Sequence, residues 1–252
     1  MTITPTPPPA GWYPAPDGSS ATWWWDGARW TQPLDQLSRP VVPTDGGTGA
    51  VSKLAMATQV LLIVCGVLSV ATIGVETFGI GATTAFLDGR DSTVAMLDLY
   101  DQGAAVVSIL SSLSLVATGV LWVIWQYRAA KQVAGRTRRS AGWHAGSWFV
   151  PIVSLWFPYQ NISDLWRAVG RTRPSWQLTW WLLYLVSNLV IGQSSRIYLA
   201  AEDLEQLRAA MWVNIGGEIL KLAAAPLAWL IVSGITQGIL QRSSEPVPSP
   251  AA

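Results

Sequence analysis

Apolar residues fill four long stretches of the chain, and short charged segments separate them. The stretches cover approximately residues 54–86, 103–127, 176–195 and 209–240. Each is long enough to cross a hydrocarbon core of about 30 Å, which takes about 20 residues of helix. The pattern predicts an all-α integral membrane protein with four transmembrane helices, in a membrane domain over residues 54–241.

A fifth apolar stretch, residues 143–170, has arginines on both sides and prolines at 151 and 158 that interrupt a helix. Because short Lys/Arg-rich loops stay in the cytoplasm, we predict that this stretch enters or lies on the membrane and returns. A full crossing, the alternative, would place arginines outside. The arginines could bind anionic lipid, although fixing the topology already explains them. The candidates for lipid-interface residues are Arg136, Arg138, Arg139, Trp148, Trp156, Trp166, Arg167 and Arg171.

Loop charges predict the orientation in the membrane. The segment between the second helix and residue 143 is basic, whereas the loops at 88–101 and 196–208 are acidic overall and carry seven of the fifteen acidic residues. Basic loops remain inside, so both termini are expected in the cytoplasm of a cell-membrane protein. Homo-oligomers are compatible with this arrangement.

The N-terminal residues are polar and rich in Trp, Pro and Gly. We predict disorder over residues 1–10 and 242–252, a Trp-rich cytoplasmic module over 11–31, and a flexible linker over 32–53. Asp26-Gly27 suits a type I′ turn, so Thr22 to Thr31 is predicted to form a small β-hairpin, with residues 11–14 folding their rings over one face. Its partner-binding candidates are Trp12, Tyr13, Trp24, Trp25 and Trp30.

Composition supports a membrane protein and excludes several other classes. Half of the residues are hydrophobic and 12% are charged, against about 25% charged in a soluble domain. A net charge of +1 argues against nucleic-acid binding. One cysteine, Cys65, and one histidine, His144, exclude an intrachain disulfide and a multi-histidine metal site. We therefore predict no catalytic, cofactor-binding or metal-binding residues, and a polar interfacial role for His144.

Four polar residues within or beside the apolar stretches are candidates for function, because burying a charge in a membrane is costly without a partner. They are Glu76, Asn188, Glu218 and Lys221. Glu218 and Lys221 are three residues apart on one helix and can pair, and Glu76 could reach Lys221. In the alternative, both helices extend beyond the hydrocarbon and these charges face water.

Two motifs carry a family resemblance. Gly11-Trp12-Tyr13-Pro14 and the later Trp25-Asp26-Gly27 with Trp30-Thr31 resemble a short Trp-rich domain of unknown function found in many actinobacterial membrane proteins. The segments Trp148-Phe149-Val150-Pro151, Pro158-Tyr159-Gln160 and Leu165-Trp166-Arg167-Ala168 resemble the signature of a multi-pass actinobacterial domain, also of unknown function. These resemblances imply an architecture and no activity.

Three functions fit this pattern. The leading hypothesis is a membrane-anchored interaction or scaffold protein, not an enzyme, whose Trp module binds another membrane or cytoplasmic protein, since exposed Trp clusters suit partner binding. The second is a small transporter or channel that uses the membrane-embedded charges. The third, a lipid-modifying envelope enzyme, has the least support because the single histidine and scattered acids form no recognisable catalytic set.

Overall fold

The computed structural model describes residues 9–16, 22–31, 45–90 and 94–244. The chain divides into two compact units, Met1–Val42 and Pro43–Ala252. Most of the segments predicted to be disordered or flexible, namely residues 1–8, 32–44 and 245–252, lie outside the described residues.

The first unit is a three-stranded antiparallel sheet. Its strands are β1 (Gly11–Pro14), β2 (Thr22–Trp25) and β3 (Trp30–Thr31), in the order β1-β2-β3. The prediction that residues 11–14 only cover a hairpin was wrong, because they pair with β2 along their whole length. The strand is favoured because directly opposed rings can then touch: Trp12 lies opposite Trp24, with ring centroids 5.4 Å apart.

The predicted type I′ turn between β2 and β3 was also wrong. Gly27 has a φ of 101°, but Asp26 does not adopt a positive φ. Instead the Asp26 carboxylate accepts hydrogen bonds from the backbone N–H groups of Ala28 and Arg29, each at 2.7 Å. These bonds hold a four-residue loop and lower the pKa of Asp26, because they stabilise its charged form.

The second unit is helical. Its helices are α1 (Asp45–Leu87), α2 (Val94–Gln132), α3 (Ala141–Gly146), α4 (Phe157–Ala168), α5 (Gln177–Ala200) and α6 (Leu204–Ser244), with a 3₁₀ turn over Val153–Leu155. Gly47–Leu87, α2 and α6 are long and apolar enough to cross a membrane. The 24-residue α5 is not among these candidate spans, since Gln, Asn and Ser interrupt its apolar sequence.

The long helices extend further than hydropathy predicted. Asp98 and Asp101, which were assigned to a loop, lie within α2. The predicted loop over 196–208 is reduced to residues 201–203, between α5 and α6. Hydropathy detects the apolar part of a helix, whereas backbone hydrogen bonding continues into its polar ends.

The four long helices pack in the order α2, α1, α6, α5. At one end, α4 packs into them and forms the centre of the hydrophobic core. Ile162 and Leu165 of α4 are fully buried there, as are Trp125 of α2 and Ile231 and Ile235 of α6.

The segment between α2 and α5 does not contain a membrane-crossing helix. Its longest helix, α4, has 12 residues and spans about 18 Å, against a hydrocarbon core of about 30 Å. Before α4, the side chains of Phe149 and Ile152 are 75% and 69% exposed. Short helices with exposed apolar side chains favour the re-entrant or interfacial element over the full crossing.

The contact between α1 and α2 gives the first prediction. A Cβ atom added at Gly79 would overlap the ring of Tyr100, whereas one added at Gly81 meets nothing within 4 Å. We expect Gly79→Ala to lower the free energy of unfolding by about 1–3 kcal/mol. Gly81→Ala is the matched control and should be neutral or slightly stabilising, since Ala favours helix. Thermal unfolding in detergent measures both, and equal effects of the two variants would contradict this packing.

Candidate functional site

Side chains join α2 and α5 at two widely separated levels. At one level the hydroxyl groups of Tyr100 and Tyr198 are 3.1 Å apart. At the other, the rings of Trp122 and Trp180 stack with their centroids 5.7 Å apart. Residues 100 and 122 are separated by about 33 Å along α2. The space between the two levels is therefore about as tall as a hydrocarbon core.

A cavity of about 900 Å³ fills this space. We call this cavity the groove. Side chains of α1 and α6, among them Thr72 and Ala224, also line it. Two residues of its α2 lining, Leu115 and Val116, are 52% and 65% exposed, so the groove opens to the surroundings along α2. Most of the lining is apolar, and its hydroxyl groups include those of Ser108, Ser111, Ser112, Ser187 and Ser194.

Indole rings close the groove at the end where α4 packs. Trp122, Trp148, Trp180, Trp181 and Tyr184 form a continuous set of ring contacts, which we call the aromatic wedge. Trp148 also donates a hydrogen bond through Nε1 to Oε1 of Gln126 at 2.8 Å. Residues from α2, α5 and the segment before α4 thus hold the two helices at a fixed separation.

Glu76 lies in the groove lining and is 6% exposed. Its Oε2 accepts hydrogen bonds from the hydroxyl groups of Tyr198 at 2.7 Å and Tyr100 at 3.2 Å, and its Oε1 accepts one from Nδ2 of Asn214 at 2.7 Å. All three donors are neutral, and among the described residues Glu76 forms no ion pair. The predicted approach of Glu76 to Lys221 was therefore wrong.

Glu218 is the second buried carboxylate of the groove and is 4% exposed. Lys221 donates to its Oε1 at 2.6 Å, as their spacing on a helix allows. Its Oε2 is buried and has no hydrogen-bond partner among the described residues. On α6, Glu218 lies four residues, about 6 Å along the axis, from Asn214, which donates to Glu76. The alternative that these charges face water does not hold for the two carboxylates, which are buried, whereas the Lys221 side chain is 26% exposed.

Asn188 lines the groove without joining this cluster. Its Nδ2 donates to the carbonyl oxygen of Tyr184 at 2.7 Å, and its side chain is exposed. Sequence reasoning missed Tyr100, Tyr198 and Asn214, the three donors to Glu76. Tyr100 and Tyr198 stand in stretches that were assigned to loops, and nothing in the local pattern indicates that helices bring them together.

The predicted lipid-interface residues divide into several groups. Trp156 is 47% exposed, whereas Trp166 is 5% exposed and packs against Gly234 in the core, so its interfacial assignment was wrong. Trp148 belongs to the aromatic wedge. Arg139 donates to Gln160 and Asn161, and Arg171 donates to the carbonyl of Gly234 and to Gln241. Arg136, Arg138 and Arg167 line a separate cavity.

His144 of α3 is fully buried, which corrects its predicted interfacial position. Neither of its ring nitrogens has a hydrogen-bond partner among the described residues. Burial lowers its pKa from 6.5 to about 4, because the imidazolium loses its hydration; Asp164 opposes this shift and Arg139 adds to it. His144 is thus a neutral core residue near pH 7.

The depressed pKa of His144 predicts how stability depends on pH. As the pH falls below about 6.5, the unfolded chain binds a proton at this residue, while the folded protein does not until about pH 4. The free energy of unfolding should therefore decrease over this range, by on the order of 2–3 kcal/mol. His144→Gln removes the titrating group and should flatten the profile, as measured by chemical unfolding in detergent. Equal slopes for both proteins would contradict the assignment.

Comparison with known proteins identifies a family but no activity. No curated protein and no solved structure matches the chain. Among the described residues, no group of three His, Cys, Asp or Glu side chains could hold a metal ion. The family described as Domain of unknown function (DUF4328) matches residues 88–237, which contain α2, α5, the aromatic wedge and the buried carboxylate Glu218. Because this match covers more than half of the sequence, the chain belongs to the DUF4328 family.

Proposed function

We propose that the helical unit is a small transporter or binding protein for a solute that combines an apolar body with a cationic group. The observation that carries the proposal is Glu76, a buried carboxylate that lines a large apolar groove and has only neutral hydrogen-bond donors around it. A buried carboxylate is costly without a positive partner. A cationic solute would supply that partner, while its apolar body would contact the groove wall.

The charge balance of the groove supports a cation over an anion. Its acidic and basic lining groups are Glu76, Glu218 and Lys221. Lys221 pairs with one oxygen of Glu218, which leaves the other oxygen of that carboxylate without a described partner. One carboxylate therefore exceeds the number of cations in the groove.

The topology that fits this function has four membrane crossings, by α1, α2, α5 and α6. Both termini then lie in the cytoplasm. Three of the long helices meet the length and hydropathy of a membrane span, and α5 packs against α6. The arginines between α2 and α5 favour a cytoplasmic location for that end. In this topology the groove opens toward lipid, so a solute could enter from within the bilayer. The N-terminal resemblance and actinobacterial origin remain predictions.

Binding of tetraphenylphosphonium, a lipophilic cation, tests the proposal. We expect the full-length protein in detergent to bind it, as measured by equilibrium dialysis of the labelled cation. Glu76→Gln should weaken binding at least tenfold, equivalent to about 1.4 kcal/mol, and Glu218→Gln should also weaken it. Glu205→Gln is the matched control, since Glu205 is exposed, pairs with Arg208 and does not line the groove.

Two further measurements make this test decisive. Thermal unfolding separates lost binding from lost folding, since the cation should stabilise the wild type but not a folded Glu76→Gln variant. Flux of the labelled cation into liposomes distinguishes transport from binding alone. The proposal would be overturned if the wild type did not bind the cation, or if the Glu76 and Glu205 variants bound it equally.

The Trp module supports a second function, capture of a protein partner. In the N-terminal sheet Trp12, Trp24 and Trp30 are 57%, 38% and 37% exposed. Exposed indole rings on a small sheet suit an interface hot spot. This role does not compete with solute binding, because the module belongs to a separate unit.

Crosslinking in cells tests this second function. A tagged full-length protein should capture a defined partner, and deletion of residues 11–31 should abolish that capture without altering the thermal unfolding of the helical unit. Trp12→Ala with Trp24→Ala should reduce capture, whereas Thr22→Ala, at an exposed position of the same sheet, should not. Unchanged capture after the deletion would remove the Trp module as the interaction site.

A further inference from the structure

A second cavity, of about 360 Å³, lies where the segment after α2, helix α4 and the C-terminal part of α6 meet. We call it the arginine pocket. Four of its six lining residues are arginines from three different parts of the chain. The complete lining is Arg136, Arg138, Asp164, Arg167, Ala168 and Arg242. This pocket is separate from the groove, with which it shares no lining residue.

Asp164 orients two of these arginines. Its side chain is 3% exposed, and it accepts hydrogen bonds from Nε of Arg138 at 2.9 Å and from Nη2 of Arg167 at 2.6 Å. The two arginine side chains are themselves 54% and 59% exposed. Nη1 of Arg167 and both terminal nitrogens of Arg138 have no hydrogen-bond partner among the described residues. A buried carboxylate thus holds one nitrogen of each guanidinium, Nε of Arg138 and Nη2 of Arg167, and leaves other donors available.

Arg136 and Arg242 complete the pocket without a protein partner of their own. Among the described residues, neither side chain forms a hydrogen bond or an ion pair. Arg242 lies against Gly170, where a Cβ atom would come within 2.6 Å of its Nη2. Gly170 has a φ of 76°, so this turn favours glycine for both its backbone conformation and the close approach of Arg242.

Other arginines at this end of the helical unit are bound to protein acceptors. Arg139 stacks on the ring of Phe157 and donates to two amide side chains, and Arg171 donates to α6. Arg173 donates to the hydroxyl group of Tyr159. These three arginines therefore connect secondary-structure elements to one another. The four arginines of the arginine pocket exceed what one aspartate can balance and leave it with three surplus positive charges.

We propose that the arginine pocket is a binding site for a phosphate group. Guanidinium groups stay charged in proteins and present paired N–H donors that match phosphate oxygens. A phosphate offers several acceptor oxygens in a tetrahedral arrangement, which four arginines from different directions can engage together. It also supplies the negative charge that relieves repulsion among the arginines. The pocket volume of about 360 Å³ is sufficient for a phosphate group.

The phosphate can come from an anionic lipid headgroup or from a soluble phosphate ester, and two probes distinguish these sources. Inorganic pyrophosphate, added to the full-length protein in detergent, tests for a soluble ligand by the shift in unfolding temperature. Phosphatidylglycerol, compared with phosphatidylcholine, tests for a lipid headgroup by native mass spectrometry of retained lipids. Binding of either probe at this site supports the proposal, and the probe that binds identifies the source.

Arg136→Gln and Arg242→Gln are the informative variants, because neither side chain has a described bond whose loss would disturb the fold. We expect each to weaken binding of the active probe several-fold and the double variant to weaken it more than tenfold. Arg128→Gln is the matched control, since Arg128 is an exposed arginine near the same end of α2 and lies outside the pocket. Its binding should match that of the wild type.

The outcomes separate a built site from general attraction to positive charge. If Arg128→Gln reduced binding as much as Arg136→Gln, or if the wild type bound neither probe, the proposal would be wrong. Raising the salt concentration gives a second criterion. Diffuse attraction over distances beyond about 8 Å is screened at physiological ionic strength, whereas direct guanidinium contacts persist better. The result is independent of cation binding in the groove.

Discussion

The aromatic wedge between α2 and α5 is the contact on which the rest of the helical unit depends. Four helices packed in a row would close into a compact bundle if the outer two could touch along their length. Trp122 and Trp180, supported by Trp148, instead fill the space between them at one end. Indole rings are rigid and large, so they set a separation that smaller side chains would not maintain. The groove is a direct consequence of that separation.

The short helix α4 explains why the wedge is stable. The main hydrophobic core surrounds α4, and Trp125, fully buried beside it, donates a hydrogen bond to Thr236 of α6. Apolar packing is therefore concentrated at this end. The opposite end relies on the Glu76 cluster, in which a carboxylate, two hydroxyl groups and an amide join four helices. One end is held by packing and the other by directional hydrogen bonds, with the groove between them.

The sequence predicted the apolar helices well and their contacts poorly. Runs of about 20 apolar residues identify the spans, because burial in lipid demands that composition throughout. The donors to Glu76 carry no comparable signal. Tyr100 and Tyr198 are 98 residues apart, and their meeting depends on helices that continue past the apolar runs. In the N-terminal unit, the Asp26-Gly27 pair correctly marked a turn, but its type depended on a side-chain hydrogen bond that local propensity does not reveal.

The buried carboxylates Asp164 and Glu76 have different partners, and this difference explains the different roles proposed for the two cavities. Asp164 is 3% exposed and bonds to two arginines, so its charge is balanced within the protein and it serves to position those arginines. Glu76 is buried to a similar extent, yet its donors are two tyrosines and an asparagine, which supply hydrogen bonds without positive charge. Hydrogen bonds alone offset part of the cost of burying a carboxylate, and a positive charge offsets more. The arginine pocket therefore has positive charge to offer an anion, and the proposed cationic solute would supply the positive charge that Glu76 lacks among the described residues.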